Sequence, residues 1–289
     1  MRISNSLLQQ RITDNVQSTM SSLAQVQLQI SSGKQFQTMG ENPVGGGQIL
    51  AADRALRALS QYRRNTNDAQ TRSDAEEAVL NQLTDLLSRA KELATQEGTS
   101  TANAQTHAAA ATEVQQILDQ VIQLGNTQVG TQYLFAGTQT GQPFDATGAY
   151  SGDNGQHQTE VGQGYLMTTN HNGQQLLVDS GVLTSLQSLL TQLQSGTPTS
   201  IAGTINGLDS AFTQVQTMLA TTGARSNAFA SALQNDDALQ TTLQQLQSNV
   251  QDTDVAAASI QLAGTQTAMQ AALLSASRVL SMSLVDYLK

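Results

Sequence analysis

Three histidines, His107, His157 and His171, are the only imidazoles among 289 residues. Metal ligation or general acid–base catalysis needs such groups to converge, yet no HxxxH spacing occurs and no carboxylate stands in register with any of them. His107 reads as part of a polar helix face, the other two as turn residues. Asp153-Asn154-Gly155 resembles a fragment of a calcium loop, but the twelve-residue ligand pattern with its closing Glu is missing, so a hairpin turn is expected there. No GxSxG elbow is present, and no base sits beside a nucleophile at a telling spacing. Glu76-Glu77 and Asp236-Asp237 are adjacent pairs, which on a helix point about 100° apart and cannot share one proton. Ser73 and Glu76 have capping-box spacing, but in the middle of a helical pattern an exposed face is the expectation. Gly45-Gly46-Gly47 lacks the Lys and Ser/Thr of a phosphate-binding loop. With no cysteine, a thiolate nucleophile and Cys-ligated metal centres are excluded. The chemistry-bearing residues thus predict no catalytic site, no cofactor, no metal and no enzyme.

Composition points the same way. Aromatics are 3% with no Trp, so the core must be aliphatic and an aromatic-walled pocket is not expected. Gln, Ser and Thr make up about 100 residues, and charged residues only 12%, well below the usual quarter. The net charge of -9 is unevenly placed, with no Lys or Arg between Glu97 and Arg225. Such a surface cannot neutralise phosphates, which predicts no nucleic acid and no anionic membrane as partner. The arginines between 54 and 72 are expected to pair with helix acids or neighbouring subunits. No run of 18 apolar residues occurs, and MRISNSLLQQRITD lacks the apolar stretch and cleavage site of a secretory signal. If the chain is secreted, a route without a cleaved signal peptide is expected.

Helical periodicity dominates the chain. Ile12, Val16, Thr19, Leu23, Val26 and Ile30 recur at spacings of 4, 3, 4, 3, 4, a two-per-heptad seam that wants a partner helix. The seam stops at Ser31-Ser32-Gly33, and Met39 to Gly47, which contains GENPVGGG, reads as a loop or sharp bend. Helices are predicted from about Gln48 to Glu97, with Val79, Leu83, Leu86, Ala90 and Leu93 in register, and from about Ala102 to Val129. From Gly130 to Gly181 the chain turns to Gly, Thr, Asn and Asp. Tyr133–Phe135, Thr159–Val161, Tyr165–Thr169 and Gln175–Val178 read as strands, and Asn172-Gly173 as a second hairpin turn. Helix resumes at Val182, breaks at Gly196-Thr197-Pro198 and resumes again. The closing seam is carried by Leu243, Leu246, Val250, Leu262, Met269, Leu273, Leu280 and Leu284, with a slip at Asp252-Thr253-Asp254. Unbroken from Asp236, that last helix would reach roughly 75 Å. The expected fold is mainly α, with long coiled-coil helices from both termini and a small inserted β lobe. Residues 1–40 with 236–289 would form a terminal coiled-coil domain, 41–130 with 182–235 a helical rod, and 131–181 the lobe. The seam residues are the candidate assembly site.

These residues resemble the flagellin-like axial proteins of the bacterial flagellum. Met1-Arg2-Ile3-Ser4, Ile30-Ser31-Ser32-Gly33-Lys34 and Glu41-Asn42-Pro43 are similar to that family's N-terminal signature, although Glu41-Asn42-Pro43 stands where DDP is commoner. Tyr62-Arg63-Arg64-Asn65 and RAKELATQ (89–96) resemble its next helix. Gly223-Ala224-Arg225-Ser226-Asn227 and Asp252-Thr253-Asp254-Val255-Ala256 resemble its C-terminal elements. Tyr133-Leu134-Phe135-Ala136-Gly137, Pro143-Phe144 and the ending from Ser283 to Leu288 resemble the hook-filament junction branch rather than filament subunits. The resemblance implies a structural adaptor in the flagellum that joins the first hook-associated protein to flagellin. Further implied partners are copies of itself in a ring and an export chaperone, with secretion by the flagellar type III route. The alternatives are a soluble coiled-coil stalk displaying the lobe for ligand binding, as in a phage tail or adhesin, and a glycan hydrolase hidden in the lobe.

Overall fold

The computed structural model describes residues 2–99 and 102–287. The helices in chain order are α1 (Arg2–Ser32), α2 (Pro43–Glu97), α3 (Ala104–Gly125), α4 (Val182–Ser195), α5 (Pro198–Gly203), α6 (Ile205–Gln251) and α7 (Val255–Tyr287). Between α3 and α4 lie two antiparallel ribbons, β1 (Gln128–Val129) with β2 (Gln132–Tyr133) and β3 (Gln158–Gly162) with β4 (Tyr165–Thr168), followed by a π-helical segment, Gln174–Asp179. The chain is mainly α, as the periodicity predicts. It divides into two compact units, Met1–Arg57 with Leu239–Lys289, and Ala58–Ala238.

The central unit holds the core. Val79, Leu80, Leu83, Leu87, Ala90 and Leu93 of α2 meet Val114, Ile117 and Val121 of α3, Leu186 and Leu189 of α4, and Leu208, Ala211 and Val215 of α6. Asn103 starts α3 with a capping box: its side chain accepts from the amides of Gln105 and Thr106, and the Thr106 hydroxyl answers to the Asn103 amide. Thr197 and Ser200 repeat the device at α5, with Pro198 at the first helical position. Leu134, Phe135, Phe144, Leu176 and Leu177 belong to this same cluster, so the β-containing segment shares its core with the helices.

That sharing explains where the strand assignments depart from expectation. Gln175–Val178 is π-helical, because consecutive Leu176 and Leu177 are both fully buried and an alternating strand buries only every second residue. Consecutive burial of Leu134 and Phe135 likewise ends β2 at Tyr133. Asp153-Asn154-Gly155 joins no paired strands; the Asp153 carboxylate accepts from the Gly155 amide (3.0 Å) and from the amide (2.7 Å) and hydroxyl of Thr138. The Asn172 side chain accepts from the Gln175 amide at 2.9 Å and opens the π-helical turn. Helix α2 begins within the predicted bend, at Pro43, and α3 is shorter than expected at both ends. The last long helix is broken: α6 ends at Gln251 and α7 begins at Val255.

The terminal unit is an α1–α7 pair closed by a joint. Between residues 12 and 26 of α1, reduced exposure falls on Ile12, Val16, Thr19, Leu23 and Val26 alone. The matching row on α7 is Ala258, Leu262, Thr265, Met269, Ala272 and Ala276, again at 4, 3, 4, 3, 4. Two helices of 31 and 33 residues therefore touch along a narrow stripe, with most of each surface in solvent.

Candidate assembly interface

Four short motifs build the joint at the closed end of the α1–α7 pair. Gly33 takes φ +70, the left-handed conformation that ends α1. The turn then docks on the break between α6 and α7: Gln35 donates to the Gln251 carbonyl (2.7 Å), Thr253 donates to the Gly33 carbonyl (2.8 Å), and the backbones of Lys34 and Asp252 pair as an isolated antiparallel β-bridge. Asp254 opens α7 by accepting from the amides of Ala256 (2.9 Å) and Ala257 (3.1 Å). In the bend, the Glu41 carboxylate accepts from the Gln37 amide (3.2 Å) and the Thr38 hydroxyl (2.9 Å). Asn42 caps α2 through the Gly45 amide at 2.9 Å. A side chain at Gly45 would meet Asn42 and the Phe36 ring at about 3 Å or less, which is why glycine stands there.

The seam residues singled out by spacing do not all face a partner helix. Ile12, Val16, Leu23 and Ile30 are half-buried and Val26 buried; Leu243, Val250, Leu262 and Met269 are half-buried. Leu273 is 50% exposed, because Ala272 and Ala276 carry the α7 row past that point. Leu246 is 42% exposed, because Gln247 takes the in-register place four residues after Leu243 and bonds the Asp53 carboxylate. The side chains of Leu280 and Leu284 lie outside the described residues.

A second set of apolar side chains points outward. Of thirteen exposed large hydrophobics among the described residues, eleven belong to the terminal unit, among them Leu7, Met20, Leu28, Ile260 and Leu274. Leu7 and Leu28 are three heptads apart, Ile260 and Leu274 two heptads apart, so each pair lies along one stripe of its helix if the helices supercoil. Fully burying one such side chain is worth about 1.5–3 kcal/mol. The helix pair thus buries one narrow stripe and leaves large apolar residues on its other faces.

The central unit contains a buried charge constellation, and it includes residues read as bland from sequence. Glu76 is fully buried rather than exposed. Its Oε1 accepts from the His171 backbone amide (3.2 Å) and contacts Nδ1 of the same ring, while Oε2 accepts from Arg225 Nη1 at 3.1 Å. Ser73 is also buried, with its hydroxyl 3.0 Å from that of Ser226. His171 thus has a carboxylate partner 95 positions away, which linear spacing cannot show. His107 is mostly buried too, with Nε2 3.6 Å from Glu97. Arg225 and Ser226 therefore lock α6 to α2, and Asn65 holds β3 through the Glu160 carbonyl at 2.9 Å. Arg63 pairs with Asp237 at 2.8 Å. Burial raises the Asp236 carboxyl above its ordinary range, and one of its oxygens has no hydrogen-bond donor. Bonds from Thr138 hold Asp153 below it. Among the described residues, no group of three or more His, Asp or Glu is disposed to hold a metal ion, and no helix is long and apolar enough to cross a membrane.

Family comparisons cover most of this architecture. A model of the bacterial flagellin N-terminal helical region matches residues 3–140, and one of the bacterial flagellin C-terminal helical region matches residues 205–288, together more than three quarters of the chain. The flagellar hook-associated protein 3 of Salmonella typhimurium is 30% identical over 179 residues, 61% of this chain and 56% of that relative. The chain thus matches little more than half the length of that relative. Among solved structures, a flagellar hook-associated protein from Vibrio parahaemolyticus shares the fold with TM-score 0.67 at 17% identity, covering 73% of this chain and all of that one. The flagellar junction protein FlgL from Legionella pneumophila does so with TM-score 0.60 at 15% identity, covering 71% and 100%.

Proposed function

The chain belongs to the bacterial flagellin family, and from that premise we propose that it is a structural joint of the flagellum, non-enzymatic, standing between hook and filament. One relative is named flagellar hook-associated protein 3, and one structural neighbour is described as a flagellar junction protein, which supports this reading. The observation that carries the reading is the terminal unit: a helix pair held by one stripe, with eleven large apolar side chains exposed among the described residues. Residues 1–40 with 236–289 would pack against the first hook-associated protein, flagellin and ring neighbours. The rod of 41–130 with 182–235 would keep subunits in lateral register, with the 131–181 lobe outside the assembly seams. In the sequence, Leu280 and Leu284 continue the seam spacing. An export chaperone would cover the apolar faces of α7 before secretion. The stalk and hydrolase alternatives have no comparable support, since the matched families and neighbours are flagellar.

Ile260→Asp tests the reading. Ile260 is 76% exposed, so the change leaves the isolated fold intact and removes apolar surface only where a partner covers it. In a strain carrying this variant as its sole copy, the protein should be secreted normally while filaments detach and flagellin accumulates in the medium. Normal filaments would contradict the assignment of that face.

A further inference from the structure

One face of α2 carries Arg54, Arg57, Gln61 and Arg64, at spacings of 3, 4 and 3. That spacing keeps all four on one side of the helix over about 15 Å. All four are exposed. Arg64 donates to Gln61 Oε1 at 2.7 Å, and none of the three guanidinium groups joins an ion pair among the described residues.

The central unit has a complementary surface. A groove of about 360 Å³ between α2 and α3 is lined by Asp85, Gln120 and Gln123, and a second of about 440 Å³ by Asp119, Gln123 and Asp145. The two grooves share Gln123, neither is lined by Lys or Arg, and the three carboxylates are exposed and outside every ion pair among the described residues. Bonds from Thr147 and Ala149 keep Asp145 ionised well below neutral pH. The end of α3 at Gly125 adds the negative pole of a helix dipole beside them.

We propose that the arginine face of α2 is a docking surface for a second copy of this chain, which it meets at the Asp85–Asp119–Asp145 grooves. The stripe and the grooves are different surfaces, so the contact is heterologous and propagates from copy to copy, as a ring requires. A polyanion is a poorer occupant, because three arginines stand on a chain of net charge -9. This inference rests on the reading of the protein as a self-assembling joint and names the surfaces that would meet.

The absence of cysteine permits a direct trap. Full-length Gln61→Cys and Gln123→Cys chains, purified separately, mixed and oxidised at low ionic strength, should give a heterodimer in excess of the two homodimers combined, whereas random collision gives equal amounts. The excess should disappear near 1 M salt, where screening acts within about 3 Å. Arg54→Glu with Arg57→Glu in the Gln61→Cys chain should remove it too, and Asp85→Arg with Asp119→Arg in the partner should restore it. A heterodimer at the collision level, or one indifferent to the charge reversals, overturns the proposal; an arginine face that meets some other protein gives that result. Because the assay contains no hook or flagellin, its failure leaves the junction reading standing, and a filament defect from Ile260→Asp would stand without it.

Discussion

The two units of this chain use the same aliphatic vocabulary to opposite ends. The central unit fills a shared core in which α2, α3, α4 and α6 surround Leu80, Leu83, Val114 and Leu186, all fully buried, and it ties its β segment in with a buried ion cluster at Glu76. The terminal unit buries only Val26, Phe36, Ala52 and Ala258 among its described hydrophobics, yet exposes eleven large ones. Isolated helix pairs with one narrow stripe are marginal in water, because helix stability in proteins comes mainly from packing an amphipathic face. The difference teaches how unevenly burial is spread along the chain: the middle carries a core of its own, and the ends leave their apolar faces in solvent, which is the surface the proposed function uses.

The largest effect that could break this contrast is expected at Glu76. Glu76→Ala strands Arg225 and His171 without their carboxylate and should destabilise the central unit by about 3–5 kcal/mol in urea unfolding. A loss below about 1 kcal/mol would mean the cluster is not holding the segment. Leu83→Ala opens a cavity in the same core and should cost about 2–5 kcal/mol. Met269→Ala, on the half-buried α7 row, should leave that same transition where it is; equal shifts from both variants would erase the distinction between units.

Asp254→Ala should remove the cap of α7 at a cost of about 1 kcal/mol, read as faster amide exchange in the first turn of α7 with the central unit unchanged. Asp236→Asn has the opposite sign. The folded-state pKa of Asp236 is raised by burial, so its contribution to stability is fully present below the unfolded-state pKa and is lost as pH rises through the folded-state value. The Asn variant should therefore be more stable than the parent at neutral pH, with the gap closing as pH falls into the carboxylate range. A constant gap across pH would place the effect elsewhere. Leu273→Ser, on an exposed α7 face, should change isolated stability by no more than about 0.5 kcal/mol while weakening assembly.

The helical frame was legible because the heptad pattern is a local property: in α1 the spacing of Ile12, Val16, Leu23 and Val26 picks out the side chains turned toward a neighbouring helix. Where Ala272 and Gln247 stand in the in-register places, the larger Leu273 and Leu246 mislead, because hydrophobicity alone ranks them above residues the helix geometry favours. The Glu76–His171–Arg225 cluster could not be read from spacing at all, since its members lie 95 and 149 positions apart. Ser73 and Glu76, polar residues inside an apolar α2 pattern, were the available signal, and they mark burial with a partner rather than a solvated face. The strand assignments failed at Leu134-Phe135 and Leu176-Leu177 for one reason: consecutive apolar residues there serve a core shared with helices.

Amide hydrogen exchange on the isolated full-length chain tests the separation of the two units most directly. The account predicts slow exchange through α3, α4 and the stretch of α2 around Leu80 to Ala94, and exchange faster by orders of magnitude along α1 and α7, slowing only when the chain is assembled as the proposed function requires. Uniform protection of α1 and α7 at the level of the central core in the free protein would contradict it.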